Sequence, residues 1–312
     1  MKILITGGAG FIGSHIVDKY LSEGHEVHIL DNLSSGKIEN INRGAKFFKA
    51  DICSEEAREI IISEKYELIN HHAAQISVVE STRNPSKDAK VNILGLLNIL
   101  NAAGESGSVK KFIFVSSGGA VYGEKQSHPI PETEIPMPLS PYAISKLAGE
   151  HYVRAICTAH GIKYLTLRYS NVFGPRQDPH GEAGVVAIFS KLMIAGQQPK
   201  IFGDGSAVRD YVYVKDVAEV NFQGIDKLCN DEINVSTGEG TSVNRLFAIM
   251  AEILGFDKKP VYMPKRSGEL ERSIIDNSKL HKLTGFKPHY SIIEGLRETV
   301  HYFKIEFGNN HK

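Results

Sequence analysis

Tyr142 and Lys146 stand four residues apart in Pro141-Tyr142-Ala143-Ile144-Ser145-Lys146, and upstream the apolar run 111–115 ends in the hydroxyl pair Ser116-Ser117. Residues four apart share a helix face, with Cβ atoms about 5–6 Å apart, so a Lys146 ammonium can sit beside the Tyr142 phenol. A nearby cation favours the phenolate. Bringing a tyrosine from about 10 to about 7 takes roughly 4 kcal/mol of differential interaction, within reach of a lysine plus a second positive charge. Such a pair is a general base. The same spacing also occurs on ordinary amphipathic helices, so the rest of the chain must decide.

The elements that would position this pair begin at the N-terminus. Lys2 to Thr6 is an apolar run, followed by Gly7-Gly8-Ala9-Gly10-Phe11-Ile12-Gly13 and then by Ile16, Val17, Tyr20 and Leu21 at helical spacing. Strand, glycine turn and helix in this order allow a backbone to approach a pyrophosphate closely at a helix N-terminus, with Gly7, Gly10 and Gly13 at the required spacing. A second strand at 26–30 ends in Asp31, 21 residues after Gly10. An acid there suits the hydroxyls of an adenosine ribose and repels a 2′-phosphate, which points to NAD rather than NADP. A bound nicotinamide would supply the second positive charge beside Tyr142.

Strands and helices then alternate: a strand at 46–49 followed by Asp51-Ile52, a helix at 55–63, a strand at 68–71 leading into Ala73-Ala74-Gln75, a helix across 87–103, and strands at 111–115 and 163–168. This pattern predicts an α/β fold, a Rossmann-type doubly wound parallel sheet with ligands at the carboxyl ends of its strands. Asp51 and Ile52 would receive the adenine, and small Ala73 and Ala74 would let the backbone approach the cofactor. His71 and His72, adjacent and facing opposite sides of a strand, read as packing residues rather than metal ligands. From Arg176 a polar loop and a helix at 185–194 lead into a smaller α/β lobe. Segments 210–214 and 233–236, with a helix at 216–228 between them, are expected to return to the main sheet. A helix after Thr241 and Ser242, a strand at 261–263 and two closing helices complete the chain. The expected division is a dinucleotide-binding domain over 1–175 plus 210–236 and a substrate lobe over 176–209 plus 237–312.

Composition narrows the partners. Lys and Arg number 36 and so do Asp and Glu, scattered along the chain, so no basic footprint marks nucleic acid or an anionic membrane as a ligand. An anionic substrate would need dedicated arginines. Cys53, Cys157 and Cys229 are far apart and lack metal-ligand spacing, as expected of reduced thiols in a cytoplasmic protein without a metal site. No membrane span or leader is expected. The 87–103 segment is apolar nearly all round, with Val91, Leu94, Leu97 and Leu100. Its pairing with the helix after Pro141 across a twofold axis would make a homodimer. Asn92, polar in this apolar stretch, needs a partner and could fix the helix that carries Tyr142.

With these residues in place the chain resembles the extended short-chain dehydrogenase/reductase family, the NAD-dependent epimerases and dehydratases, and within it nucleotide-sugar epimerases of the UDP-glucose 4-epimerase type. The resemblance rests on TGGAGFIGSH (6–15), DNLSSG (31–36), HHAAQ (71–75), SSGGAVYG (116–123), PYAISK (141–146), LRYSNVFGPRQDP (167–179) and FGDGSAVRDYVYVKDV (202–217). It implies NAD contacts from Gly7, Gly10, Phe11, Ile12, Gly13, Asp31, Asn32, Ser35, Gly36, Asp51, Ile52, Ala73, Ala74, Gln75, Asn92, Ser116, Tyr142, Lys146 and Tyr169. It further implies that Tyr142 takes the proton of a sugar 4-hydroxyl, that Lys146 lowers the Tyr142 pKa, and that hydride leaves carbon 4 and returns to the opposite face of a 4-keto sugar.

The assisting hydroxyl of the family most often falls at the position of Gly118, so Ser117 is assigned the role here. Dehydrating relatives carry an acid pair where this chain has Gly118-Gly119, which favours epimerisation without loss of water. For a UDP-hexose substrate the resemblance implies contacts from Ser117, Tyr142, Asn171, Gln177, Ile201, Phe202, Arg209, Arg266 and Glu269. Ser273 falls beside the sugar 2-substituent, where a small residue should admit UDP-GlcNAc and UDP-GalNAc as well as UDP-glucose and UDP-galactose. The rival readings are a UDP-glucuronate or other nucleotide-sugar epimerase, a net dehydrogenase, and a non-catalytic NAD-sensing regulator; a sensor has no need of a Tyr/Lys pair.

Overall fold

Seven parallel strands form the centre of the computed structural model, which describes residues 1–180, 184–265 and 270–308. In chain order they are β1 (Lys2–Thr6), β2 (Glu26–Leu30), β3 (Lys46–Phe48), β4 (Leu68–His71), β5 (Lys111–Ser117) and β6 (Lys163–Tyr169), with Asp231–Val235 last. In space they run Asp231–Val235, β6, β5, β4, β1, β2, β3. The chain winds outward from β1 through β2 to β3, then crosses back to β4, so the order reverses between β1 and β4. A ligand crevice belongs at the carboxyl ends of those two strands, and the glycine run opens there.

Both faces of the sheet are apolar because side chains alternate along every strand. Ile3, Ile5, Val27, Ile29, Ile113, Leu165 and Leu167 join one buried cluster, beneath helix Phe11–Ser22 and helix Val214–Gln223. Leu4, Leu30, Ile69, Phe112, Phe114 and Tyr164 join the other, beneath Glu55–Glu64, Leu96–Ser106 and Pro141–Ala159. The last of these starts at Ser140, whose hydroxyl accepts from the Ala143 N–H at 3.2 Å, with Pro141 in the first turn where its missing N–H costs nothing. A third core, with Phe173, Val186, Phe189, Ile201, Leu246 and Met250, lies among the helices Val185–Ile194, Val243–Leu254 and Ile292–Gly308.

Two expectations are corrected. Tyr211–Tyr213 does not return to the main sheet; it pairs in parallel with Asn171–Phe173 as a separate two-stranded ribbon. The free edge of β6 is already taken by Asp231–Val235, in register from Leu165 to Tyr169, and the rings of Phe173, Tyr211 and Tyr213 pack into the third core instead. The helix across 87–103 is also not continuous: Pro85–Ala89 passes through a π-helical turn, Lys90–Gly95, into Leu96–Ser106. Such turns commonly mark sites where a side chain is aimed for function, and this one carries Asn92.

Helix Pro141–Ala159 is tied to the sheet by a buried ion pair. Arg168 on β6 donates to Glu150 through Nε at 3.0 Å and Nη2 at 2.6 Å, while Ser116 donates to the same carboxylate at 2.6 Å. Arg168 Nη1 also donates to the Tyr122 hydroxyl at 2.9 Å, which in turn donates to Asn234 Oδ1 at 2.8 Å. A buried pair adds little net stability, but removing one partner strands the other charge. Glu150→Ala should therefore lose about 3–5 kcal/mol in urea unfolding; a loss below about 1 kcal/mol would mean that water reaches Arg168.

Candidate active site

The glycine turn meets the demands of a diphosphate. Gly7 adopts φ +72°, and its carbonyl accepts from the Gly10 N–H at 3.0 Å. A Cβ on Gly7 would lie 2.7 Å from the Ala73 nitrogen, and one on Gly13 would run into the Gly7 carbonyl, so the turn closes only without side chains. Gly10 caps helix Phe11–Ser22 with no side-chain acceptor and no acid in the first turn, which leaves the N–H groups of that turn facing outward for an anion. Asp31, buried at the end of β2, accepts from the Ala9 N–H at 3.1 Å and the Leu33 N–H at 2.8 Å. Burial pushes its carboxyl up, and the two amide bonds oppose that shift. Gly36 lies against the same carboxylate. Exposed Asn32 donates to Asp51 at 2.9 Å, so these two rim residues meet, while Ser35 is exposed and Ile52 buried beside them. This residue set fits an adenosine diphosphate with free ribose hydroxyls.

At the far end of the crevice, β5 delivers Ser117, half-buried, beside the Tyr142 phenol, where its hydroxyl acts to lower the phenol's pKa. The Lys146 ammonium, one turn further along the helix, donates to the Val115 carbonyl at 2.9 Å and lies 5.2 Å over the Phe114 ring. Burial pushes the phenol up to about 12, against the lowering effect of the Ser117 bond, and pushes the lysine down to about 8. In the free chain Tyr142 is therefore a phenol. The Lys146 ammonium is engaged by the backbone of β5, and the second positive charge expected from a nicotinamide is not part of the free chain.

Ser116 and Ser117 part company by strand alternation: Ser116 turns to Glu150, so its hydroxyl is spent inside the protein. Asn92 uses its amide fully. It accepts from the Gln75 N–H at 2.8 Å and donates to the Gln75 carbonyl at 2.9 Å and to Ser145 Oγ at 3.1 Å. It thus joins the 73–77 loop, with half-buried Ala73 and Ala74, to the helix of Tyr142. Tyr169 is buried with its hydroxyl 3.3 Å from His72 Nε2 and accepting from Asn221 at 2.7 Å. Phe11 and Ile12 begin the first helix, half-buried between the crevice and the third core.

The profile of the NAD dependent epimerase/dehydratase family matches residues 3–236. The chain belongs to that family. Among solved structures it is similar to a UDP-glucose 4-epimerase with UDP-glucose from Thermotoga maritima, 52% identical, with a TM-score of 0.96 over 98% of this chain and 99% of that one. It is also similar to a Thermus thermophilus UDP-glucose 4-epimerase in complex with NAD, 45% identical, with a TM-score of 0.92 over 97% and 99%. A UDP-N-acetylglucosamine 4-epimerase from Methanobrevibacter ruminantium, in complex with UDP-N-acetylmuramic acid, is 38% identical, with a TM-score of 0.93 over 98% and 99%. The chain is thus an NAD-dependent enzyme on a Rossmann-type sheet, of the kind that isomerises nucleotide sugars.

Within this family frame, the residues expected to face substrate are only partly assembled by the described chain. A Cβ on Gly119 would lie 3.7 Å from Asn171 Oδ1 and 4.0 Å from Ser273 Oγ, so Gly119, Asn171 and buried Ser273 share one wall. Gln177 donates to the Val172 carbonyl at 3.1 Å. Arg209 donates to the carbonyls of Val208 at 2.9 Å and Leu270 at 2.6 Å. Ile201 belongs to the third core, with half-buried Phe202 next to it. Arg266 and Glu269 lie outside the described residues.

Gly118 has a physical reason: a Cβ there would sit 2.5 Å from Ile275 Cδ1, in the buried cluster with Val121, Tyr122 and Ile130. Sequence reasoning missed Gly119, the Glu150–Arg168 pair and Asp88. The one available signal for Asp88 was its position four residues before Asn92, on the same helical face.

Because the folded Tyr142 pKa of about 12 exceeds the unfolded value of about 10, its contribution to stability is complete below about pH 10 and is lost as pH rises toward 12. The cofactor-free protein should lose stability more steeply from about pH 9 to 11 than Tyr142→Phe does, by urea midpoints. Parallel curves would return the phenol to its ordinary range.

Proposed function

We propose that the chain inverts carbon 4 of a UDP-hexose, UDP-glucose and UDP-galactose first, through a transient 4-keto sugar. The observation that carries this reading is Tyr142 placed beside Ser117, with Lys146 docked on β5, in a sheet whose glycine turn offers an anion cradle, and with Gly118-Gly119 where an eliminating enzyme needs acids. When bound, NAD supplies the hydride acceptor for carbon 4. Tyr142 holds and moves the proton of the 4-hydroxyl, and Ser117 orients the phenol. Lys146 fixes the helix on β5 and keeps a positive charge nearby. A side chain at position 118 would meet the tip of Ile275, and Ser117 is the adjacent hydroxyl available for that role.

On the substrate side Asn171, Gln177, Arg209 and Arg266 would hold the diphosphate, Glu269 the uridine ribose, and Ile201 with Phe202 the uracil; an arginine fork suits a phosphate. The small wall of Gly119 and Ser273 supports acceptance of N-acetyl sugars. Exposed Leu94 on the π turn, and exposed Ile144 and Tyr152 on the helix packed against it, support a homodimer through these two segments. Among the described residues no helix is long and apolar enough to cross a membrane. With free Cys53, Cys157 and Cys229, a cytoplasmic enzyme is the consistent reading.

Purified protein mixed with UDP-glucose or UDP-GlcNAc, with no NAD added, should yield the 4-epimers by product analysis, without net NADH. Tyr142→Phe should lower kcat by about 10²–10⁴ while NAD stays bound; wild-type turnover in that variant would remove the phenol from the chemistry. Ser273→Tyr should keep UDP-glucose turnover and lose the acetylated sugar, and equal loss of both would show that Ser273 does not select at the 2-position.

A further inference from the structure

Beside Tyr142 and Lys146 lies a carboxylate with no part in the chemistry above. Asp88, on the short helix Pro85–Ala89, is 1% exposed. Its Oδ1 accepts from Gln75 Nε2 at 2.8 Å and from Asn92 Nδ2 at 3.1 Å. Both donors are neutral amides, and among the described residues no lysine, arginine or histidine forms an ion pair with it. A buried carboxylate held only by neutral donors is costly, so its charge has a use or a price elsewhere.

The two amides show where the carboxylate reaches. Asn92 donates onward to Ser145 Oγ, one residue before Lys146, and clasps the Gln75 backbone at both N–H and carbonyl. Gln75 Nε2 also donates to the Ser77 carbonyl at 3.0 Å. One carboxylate oxygen therefore braces the 73–77 loop and the helix of Tyr142 together.

The other charges near this point are cancelled or neutral. From helix Pro141–Ala159, Glu150 is paired with Arg168 at 2.6 Å. From the end of β4, burial holds His71 and His72 down to about 3, so both are neutral. On Val78–Arg83, Glu80 is paired with Lys87 at 3.0 Å, and Arg83 stands exposed, as does Lys90 on the π turn. Asp88, which no described cation pairs, pushes the pKa values of Tyr142 and Lys146 upward, and Glu150, though paired with Arg168, adds to the effect on Lys146.

We propose that Asp88 is a positioning residue for the Tyr142/Lys146 pair: through Asn92 and Gln75 it holds the helix and the cofactor-side loop in register, and its charge sets the field at the pair. This rests on reading Tyr142 and Lys146 as the working pair. Asp88→Asn keeps the shape and an acceptor but removes the charge. In the NAD-loaded enzyme its kcat-against-pH profile should move to lower pH, with kcat at the optimum reduced several-fold, because both neighbours lose an influence that raises them. Asp88→Glu keeps the charge but displaces it; its profile should stay in place while kcat falls about tenfold through misalignment.

A readout independent of turnover is the lysine ε-carbon NMR signal of Lys146 in cofactor-free protein, assigned with Lys146→Arg. It should titrate at lower pH in Asp88→Asn than in the wild type, and at the wild-type pH in Asp88→Glu. Unmoved profiles and an unmoved Lys146 titration in Asp88→Asn would overturn the proposal, as would an acidic shift in Asp88→Glu. Tyr142→Phe assayed in parallel separates the two readings. If it turns over normally, the pair itself is misassigned; if it is inactive while Asp88→Asn shows no shift, only Asp88 is.

Discussion

Tyr142, Lys146 and Glu150 recur every four residues on helix Pro141–Ala159, and this polar stripe faces the sheet rather than the solvent. Such a stripe can be buried only if the sheet answers each member. The answers come from the carboxyl-terminal half of β5 and from β6: the Val115 carbonyl takes the Lys146 ammonium, and Ser116 with Arg168 takes Glu150. These contacts fix the rotation and height of the helix. With both set, the phenol has one place to be, against Ser117 at the strand end. A slip of one residue would strand an ammonium and a carboxylate in the core at several kcal/mol each.

The same docking governs the electrostatics. Desolvation drives the phenol and the lysine toward their neutral forms, and the local carboxylates oppose this for the lysine. The free chain thus carries a protonated tyrosine beside a lysine already committed to the backbone. Helical spacing says where a charge can reach and not which partner it takes. The proposed base role of Tyr142 calls for the further positive charge that a bound nicotinamide would bring.

On the substrate side, geometry explains a departure from the family pattern. A Cβ on Gly118 would meet the tip of the Ile275 side chain, and Ile275 arrives from a distant segment through a bridge to Ile130. Gly119, without a Cβ, leaves the wall beside Asn171 and Ser273 open. The segment Tyr211–Tyr213 shows the converse: its apolar alternation suits a strand in the main sheet, but the competing strand Asp231–Val235 holds the edge beside β6.

What the amino-acid order determined by itself was everything governed by local periodicity and backbone sterics. The parallel alternation, the glycine turn at Gly7 to Gly13, the acid at Asp31 and the Tyr142/Lys146 spacing are all properties of short windows, where side-chain alternation, absent Cβ atoms and helical pitch act directly. Tertiary structure decided what depends on which distant groups meet. Ser116 goes to Glu150 and Ser117 to Tyr142, Asn92 reaches Ser145 across a π turn, Asp88 is buried against the pair, and Ile275 closes position 118. Hydrogen bonds and desolvation at these points depend on atoms dozens of residues apart, so no short window of sequence carries their partners, and only the folded chain selects among them.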